Sequence, residues 1–184
     1  MASTTSTKKA PVHQVEKPVR KAGKSVVKKV NKSASAMKEV LAVASEIYPL
    51  IKTGGLADVV GALPLALQAC NVHVTTLVPG YPRVMTAVHA QPQAKVLLSI
   101  GDFFGSSVQL WSAKIAGMDL FVLDAPHLFE REGNPYLNAD GQDWGDNPIR
   151  FAALSLMGAQ LAWGEYSELN YQPDAMHVHD WQTA

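Results

Sequence analysis

A lysine followed closely by two adjacent glycines forms the first group of residues that could bind a ligand. Lys52, Gly54 and Gly55 lie at the start of a helical pattern over residues 55–69. Glycines let a ligand approach the backbone, and a helix N-terminus offers free N–H groups and a positive dipole to an anion such as a pyrophosphate. An ordinary Gly-Gly turn beside a surface lysine explains the residues equally well, since G-x-G-x-x-G and G-x-x-x-x-G-K-[ST] are both absent.

A second group lies near the end of the sequence. His177, His179 and Asp180 fall in and just after a short segment that predicts a strand over residues 175–179. Residues two apart in a strand point to one face, so the two imidazoles could ligate a metal ion together. Two structural histidines at a strand end are the commoner explanation, and the spacing leaves both open.

Asp146 and Arg150 form a third pair, four positions apart where a helix is predicted to begin. Pro148 stands between them and favours the first turn of a helix. The spacing fits a helix cap, a local ion pair or a substrate contact.

The elements that must position these residues alternate along the chain, which predicts an α/β fold with a doubly wound parallel sheet. In such sheets ligands lie beyond the carboxyl ends of the strands, here after Ser45, after Asp124 and at residues 177–180. Pro64 is expected to kink or shorten the first helix. Strands are predicted over residues 38–45, 72–78, 95–100, 107–115, 118–123 and 175–179, and helices over residues 55–69 and 148–163.

Charge divides the 184 residues into two parts. Residues 1–36 hold nine Lys and Arg against one Glu and no aromatic residue, which predicts a disordered basic tail. A solvated tail, a nucleic-acid or other polyanion contact and an organelle transit peptide are the alternatives for it. Residues 37–184 predict the folded part, with its single cysteine, Cys70, as a buried inert thiol. No run approaches the ~20 apolar residues of a membrane span, so no membrane partner is expected.

Residues 45–64, with their Lys-Thr-Gly-Gly-Leu core, resemble the opening motif of bacterial glycogen synthases and plant starch synthases. The resemblance extends from about Met37 to Ala184 and excludes the tail. Several separate motifs in the same order make coincidence implausible. The further matching segments are residues 77–82, 124–129, 134–136, 146–151 and 177–182.

This resemblance implies a GT-B glycosyltransferase, in which two Rossmann-like domains face each other across a cleft. It implies transfer of glucose from ADP-glucose to the non-reducing end of an α-1,4-glucan such as glycogen, with retention and without a metal or other cofactor. Residues 37–184 would be a truncated N-terminal domain, inactive without the absent C-terminal one. Asp180 would be catalytic, and the ADP-glucose contacts would be Lys52, Gly54, Gly55, Asp58, Tyr136 and His179.

The resemblance favours a bacterial cytoplasmic enzyme, with a plastid as the alternative if the tail is a transit peptide. A module that binds polyanions or a partner through its basic tail is the non-catalytic alternative, and nucleic acid is not expected elsewhere. A UDP-glucose enzyme of the same fold and a metal-dependent hydrolase using His177, His179 and Asp180 are two further alternatives.

Overall fold

A computed structural model describes residues 36–183, which contain a six-stranded sheet in the order β3-β4-β5-β2-β1-β6. The predicted basic tail lies outside the described residues, apart from Ala36. The strands are β1 (Lys38–Val43), β2 (Val72–Pro79), β3 (Lys95–Phe103), β4 (Ser106–Ile115), β5 (Met118–Asp124) and β6 (Ala175–Val178).

Strands β6, β1, β2 and β5 run parallel, which confirms the predicted α/β sheet. The structure differs at one edge, where β3 and β4 run antiparallel to their neighbours. Two-residue connections cause this, because they can join only antiparallel strands. Phe104-Gly105 links β3 to β4 and Ala116-Gly117 links β4 to β5, all four with positive φ angles of 51° to 91°. Such angles belong to type I′ turns, in which the second position favours glycine.

Within residues 36–183, four α-helices accompany the sheet: α1 (Leu56–Gln68), α2 (Pro82–His89), α3 (Pro126–Phe129) and α4 (Asn147–Trp163). Helices α2 and α3 have no counterpart among the predicted helices. The expected shortening of the first helix by Pro64 is wrong, since α1 runs on through this residue to Gln68. Pro64 is buried on the same helix face as Ala57 and Val60, so packing holds the turn in place. None of the helices within residues 36–183 is long and apolar enough to cross a membrane.

Both faces of the central strands are covered. Leu41, Ala42, Val43 and Ala44 are all buried, and consecutive strand residues point to opposite faces. Helix α4 approaches β1 so closely that a Cβ atom at Gly158 would lie 2.8 Å from a methyl group of Val43. Cys70 lies beyond the end of α1 and is exposed, so its predicted burial is wrong.

The carboxyl ends of β1, β2 and β6 lie side by side. The Ala44 N–H donates to the carbonyl of Leu77 at 3.1 Å, and the His179 N–H donates to the carbonyl of Val43 at 3.1 Å. The loop after β1 therefore begins next to the residues that follow β6, as the ordering of parallel strands predicts.

A charged cluster near the opposite ends of the parallel strands is centred on His73 of β2. Its Nδ1 atom is 2.7 Å from a carboxylate oxygen of Glu39, and its Nε2 atom is 3.1 Å from one of Asp119. Both ring nitrogens face carboxylates, so the doubly protonated imidazolium satisfies both contacts. The hydrogen bond to Glu39, followed by that to Asp119, raises the pKa of His73.

Because this pKa is raised, the cluster stabilises the fold fully below the unfolded-state pKa of about 6.5, and the contribution disappears as the pH rises through the folded-state pKa. We expect the free energy of unfolding lost in His73→Gln to be larger at about pH 5.5 than at about pH 9. Urea denaturation of both proteins at the two pH values measures it. A loss independent of pH would contradict the assignment.

Candidate functional site

The loop after β1 is anchored by Glu46, a glutamate only 2% exposed. Its Oε1 atom accepts hydrogen bonds from the Thr53 hydroxyl at 2.6 Å and from the Tyr136 hydroxyl at 2.6 Å. Its Oε2 atom accepts one from the Thr53 N–H. A buried carboxyl group is tolerated only when its oxygens are satisfied in this way. Glu46 therefore fixes the backbone next to Lys52 and joins it to Tyr136.

Lys52 pairs with Asp58 in the first turn of α1. The Lys52 Nζ atom lies 2.7 Å and 2.6 Å from the two carboxylate oxygens of Asp58. The side chains are 45% and 54% exposed, so the pair contributes at most about 1 kcal/mol. Lys52 can therefore leave Asp58 for another anion at small cost.

Gly54 and Gly55 have no role in the fold that requires glycine. Gly55 has helical dihedral angles of −72° and −18°, and Gly54 lies outside the left-handed region as well. A Cβ atom at either position would meet no heavy atom within 4 Å. The space over both residues is open, which lets a ligand reach the backbone N–H groups at the start of α1.

Tyr136 is held from both ends. Its hydroxyl contacts Glu46, and the hydroxyl of Ser45 lies at 2.8 Å. Its backbone carbonyl accepts a hydrogen bond from the Asn147 amide at 2.9 Å. Burial and the hydrogen bond to Glu46 raise the pKa of Tyr136 well above its usual range, so the hydroxyl stays protonated and can donate.

Arg150 secures the loop that carries Tyr136. Its side chain is 1% exposed, and it donates to the carbonyls of Leu128 at 2.7 Å and Pro135 at 2.9 Å and to the Asn147 side chain at 2.6 Å. Burial lowers the pKa of its guanidinium, which remains charged at neutral pH. Arg150 is thus a structural support for the residues around Tyr136.

The predicted cap or local pair between Asp146 and Arg150 is wrong. Asp146 occupies the N-cap position of α4 but makes no side-chain cap hydrogen bond. Its carboxylate pairs with Arg131, whose Nη1 atom lies 2.7 Å from Oδ1. The hydrogen bond to Arg131 lowers the pKa of Asp146. Asp146 selects Arg131 because the Arg150 side chain points into the fold towards neutral carbonyl oxygens.

His179 and Asp180 follow β6. His179 is 8% exposed, its ring centroid is 4.1 Å from that of His177, and burial followed by the proximity of His177 lowers its pKa. His179 is therefore neutral at pH 7. Asp180 is exposed with a positive φ of 65°, and its carboxylate accepts the N–H of Trp181 at 2.7 Å. Strained backbone of this kind is often found at functional sites.

The sequence-predicted residues form one region in two parts. Lys52, Gly54, Gly55 and Asp58 lie at the start of α1, whereas Tyr136, His179 and Asp180 lie beyond β5 and β6. Within residues 36–183, no hydrogen bond joins Lys52 directly to the second part; the connection runs through Thr53 and Glu46. No three His, Cys, Asp or Glu side chains among the described residues are arranged to hold a metal ion.

The sequence analysis assigned no role to Glu46, and it did not predict that Arg150 supports the loop that carries Tyr136. Glu46 comes directly after the buried strand run, at the edge where ligands of parallel sheets bind. Arg150 shares its helix face with Leu154, Met157 and Leu161, an apolar stripe in which an arginine is unusual. Both signals were present, but neither identifies a partner.

A sequence model of the starch synthase catalytic domain family matches residues 39–184. The chain belongs to this family. The match begins at the second residue of β1, runs through β6 and includes all the residues of the candidate site. In the starch synthase domain of this chain, the loop that leads from Ala44 to the Lys-Thr-Gly-Gly segment begins beside the residues after β6, at the carboxyl edge of the sheet.

Two related proteins agree with this assignment. The chain is 54% identical over 144 residues to a glycogen synthase of Rhodopseudomonas palustris, covering 78% of this chain and 29% of that protein. It is 53% identical over 143 residues to a glycogen synthase of Acidiphilium cryptum, with the same two shares. The starch synthase domain described here thus spans less than a third of the length of these relatives.

A solved structure shares the fold. It is the catalytic domain of starch synthase IV from Arabidopsis thaliana, bound to ADP and acarbose. The TM-score is 0.60 at 25% sequence identity, over 81% of this chain and 29% of that one.

Removing the Tyr136 hydroxyl tests the connection between the two parts of the site. In Tyr136→Phe a buried carboxyl oxygen loses one of its donors, and we expect the free energy of unfolding to fall by about 1–3 kcal/mol. Tyr48→Phe is the matched control, since Tyr48 is 56% exposed and its hydroxyl makes no hydrogen bond within the described residues. Urea denaturation measures both, and equal losses would contradict the role of Glu46 as the junction.

Proposed function

We propose that the protein containing this chain is a glycogen or starch synthase that transfers glucose from ADP-glucose to the non-reducing end of an α-1,4-glucan. The observation that carries the proposal is the family match over residues 39–184, with the Lys-Thr-Gly-Gly loop opening a helix at the ligand-binding edge of the sheet. Relatives named glycogen synthase and a starch synthase structure bound to ADP and acarbose support it.

The leaving diphosphate would bind at the start of α1. In a retaining transfer from a nucleotide sugar, negative charge grows on the diphosphate as the bond to glucose breaks. Backbone N–H groups near Gly54 and Gly55 and the ammonium group of Lys52 would stabilise that charge, as fixed donors and cations do elsewhere. Lys52 would exchange Asp58 for the diphosphate, which the exposed position of their ion pair permits.

The glucosyl group would be bound by the residues beyond β5 and β6. Positive charge develops on the sugar, and the exposed carboxylate of Asp180 is suited to stabilising it. The protonated hydroxyl of Tyr136 and the neutral ring of His179 would supply uncharged hydrogen-bonding groups. Asp58, once released by Lys52, would be free to accept from a substrate hydroxyl.

Turnover would also need a second Rossmann-like domain that faces this one across a cleft, as in a GT-B enzyme. We propose that residues 37–184 form part of the first domain and are inactive alone. Relatives of bacterial origin favour a cytoplasmic bacterial enzyme. Polyanion binding by the basic tail stays a prediction, since the structure leaves residues 1–35 undescribed.

The Lys52→Ala variant tests the donor site in the full-length protein. We expect kcat/KM for transfer of labelled glucose from ADP-glucose into glycogen to fall on the order of a hundredfold, because a cation that stabilises the leaving group is lost. Lys95→Ala is the matched control: Lys95 is exposed at the start of β3 and makes no ion pair within residues 36–183.

Two outcomes would reject the proposal. The first is a full-length protein that transfers no glucose from ADP-glucose, and the second is one that prefers UDP-glucose. Residues 1–184 alone are a further control, for which we expect no transfer.

Substitutions at glycines can distinguish an effect on ligand binding from an effect on the stability of the fold. We expect Gly54→Ala and Gly55→Ala to keep the melting temperature, because both sites have open space, and to lower kcat/KM about tenfold through contact with the diphosphate. Gly61→Ala is the contrasting variant, since its Cβ atom would lie 2.5 Å from the carbonyl oxygen of Tyr48 and should lower the melting temperature. Unchanged kinetics in both loop variants would place the diphosphate elsewhere.

A further inference from the structure

A pocket of about 420 Å³ opens beside Ile51 of the loop after β1, between the start of α2 and the loop after α3. None of the residues proposed for glucosyl transfer lines it. Its apolar wall includes Ile51, Phe129 and Pro135. The volume lies within the range of small-molecule sites.

A buried cation without a counter-ion lines this pocket. Arg150 is 1% exposed and forms no ion pair with any residue from 36 to 183. Its hydrogen bonds, made through Nε and Nη1, go only to two carbonyl oxygens and one amide oxygen. The Nη2 atom makes none within the same part of the chain. Buried charges are normally paired, so the arrangement favours an anion as the missing partner.

A second buried group in the pocket lacks a partner. Tyr81 is 4% exposed, and its hydroxyl makes no hydrogen bond within the described residues. Burial raises the pKa of Tyr81 far above its usual range, so the hydroxyl is a neutral donor. A buried hydroxyl without a hydrogen bond destabilises the fold, and a bound ion is one explanation for such a group in a native protein.

The rim adds a further cation. Arg83 is exposed and has no ion pair in residues 36–183, whereas Arg131 is neutralised by Asp146. Glu130 and Glu132 also line the pocket, and because both are exposed like Arg83, solvent screens these two carboxylates and Arg83 alike, which leaves Arg150 as the unscreened charge. The uncompensated charge in the interior of the pocket is therefore positive.

We propose that this pocket binds a small organic phosphate. The phosphate group accepts hydrogen bonds from Arg150 and from the Tyr81 hydroxyl, and Arg83 attracts it from the rim. Arginine suits phosphate because its planar donors match two phosphate oxygens at once. The organic part of the ligand packs against the apolar wall. This site is separate from the proposed diphosphate site and does not depend on the glucosyltransferase activity.

The test is a titration of residues 1–184 with glucose 1-phosphate, followed by NMR chemical shifts. We expect saturable binding that Lys52→Ala leaves unchanged and Tyr81→Phe weakens about tenfold, the loss of one hydrogen bond to a charged group. Arg83→Ala, at an exposed position, should weaken binding as well without affecting the fold. Tyr171→Phe is the matched control, since this tyrosine lies outside the pocket.

The melting temperature distinguishes a binding defect from a folding defect. Without ligand, Tyr81→Phe should melt at the same temperature as the parent chain or higher, because it removes an unsatisfied hydroxyl. Absence of saturable binding would overturn the proposal, as would binding that depends on Lys52 but on neither Tyr81 nor Arg83. Equal affinity for inorganic phosphate would overturn the assignment to an organic phosphate.

Discussion

The buried carboxyl group of Glu46 is the constraint on which the geometry of the site depends. A carboxyl that is 2% exposed needs hydrogen-bond donors, and the chain supplies them from Thr53 on one side and Tyr136 on the other. Meeting this requirement fixes the backbone beside Lys52 and sets the position of the loop after α3. The two parts of the candidate site are therefore held together by a residue that need not touch a ligand.

A second buried charge, on Arg150, does the same for the other loop. Its hydrogen bonds to the carbonyls of Leu128 and Pro135 hold the backbone there. Arg150 also donates to the Asn147 side chain, whose amide donates to the carbonyl of Tyr136. Burying both side chains, the arginine and the glutamate, is costly, and the hydrogen bonds that each one makes give the loops around them one defined conformation. The region that would bind the sugar is thus more rigid than its loop character suggests.

Near these buried contacts are weaker surface contacts that can be exchanged for contacts with a ligand. The Lys52–Asp58 pair is exposed, and the space over Gly54 and Gly55 is open. Strong buried contacts therefore position the site, while exchangeable surface contacts remain for an anionic ligand. This division fits a donor site that must bind a charged substrate and release a charged product.

Local patterns in the sequence were sufficient for much of the fold. Short apolar runs identified every strand, and Pro148 marked the start of α4, because burial and backbone preference act over a few residues. The antiparallel edge was readable in principle from Phe104-Gly105 and Ala116-Gly117, whose two-residue spacing permits only hairpins. The family motifs predicted Lys52, Tyr136 and Asp180 as site residues, and both their roles and their contacts with a substrate remain predictions.

What only the folded chain decided are the partners of charged and polar side chains. Glu46 and Tyr136 are 90 positions apart, and Arg150 meets Leu128 across 22. Asp146 forms its ion pair with Arg131 although Arg150 is nearer in the sequence. Helix α1 continues through Pro64, and Cys70 is exposed. Periodicity and propensity describe a residue's immediate neighbours. These outcomes depend instead on which distant groups the packed sheet and helices bring within hydrogen-bond distance, and on which of them water can still reach.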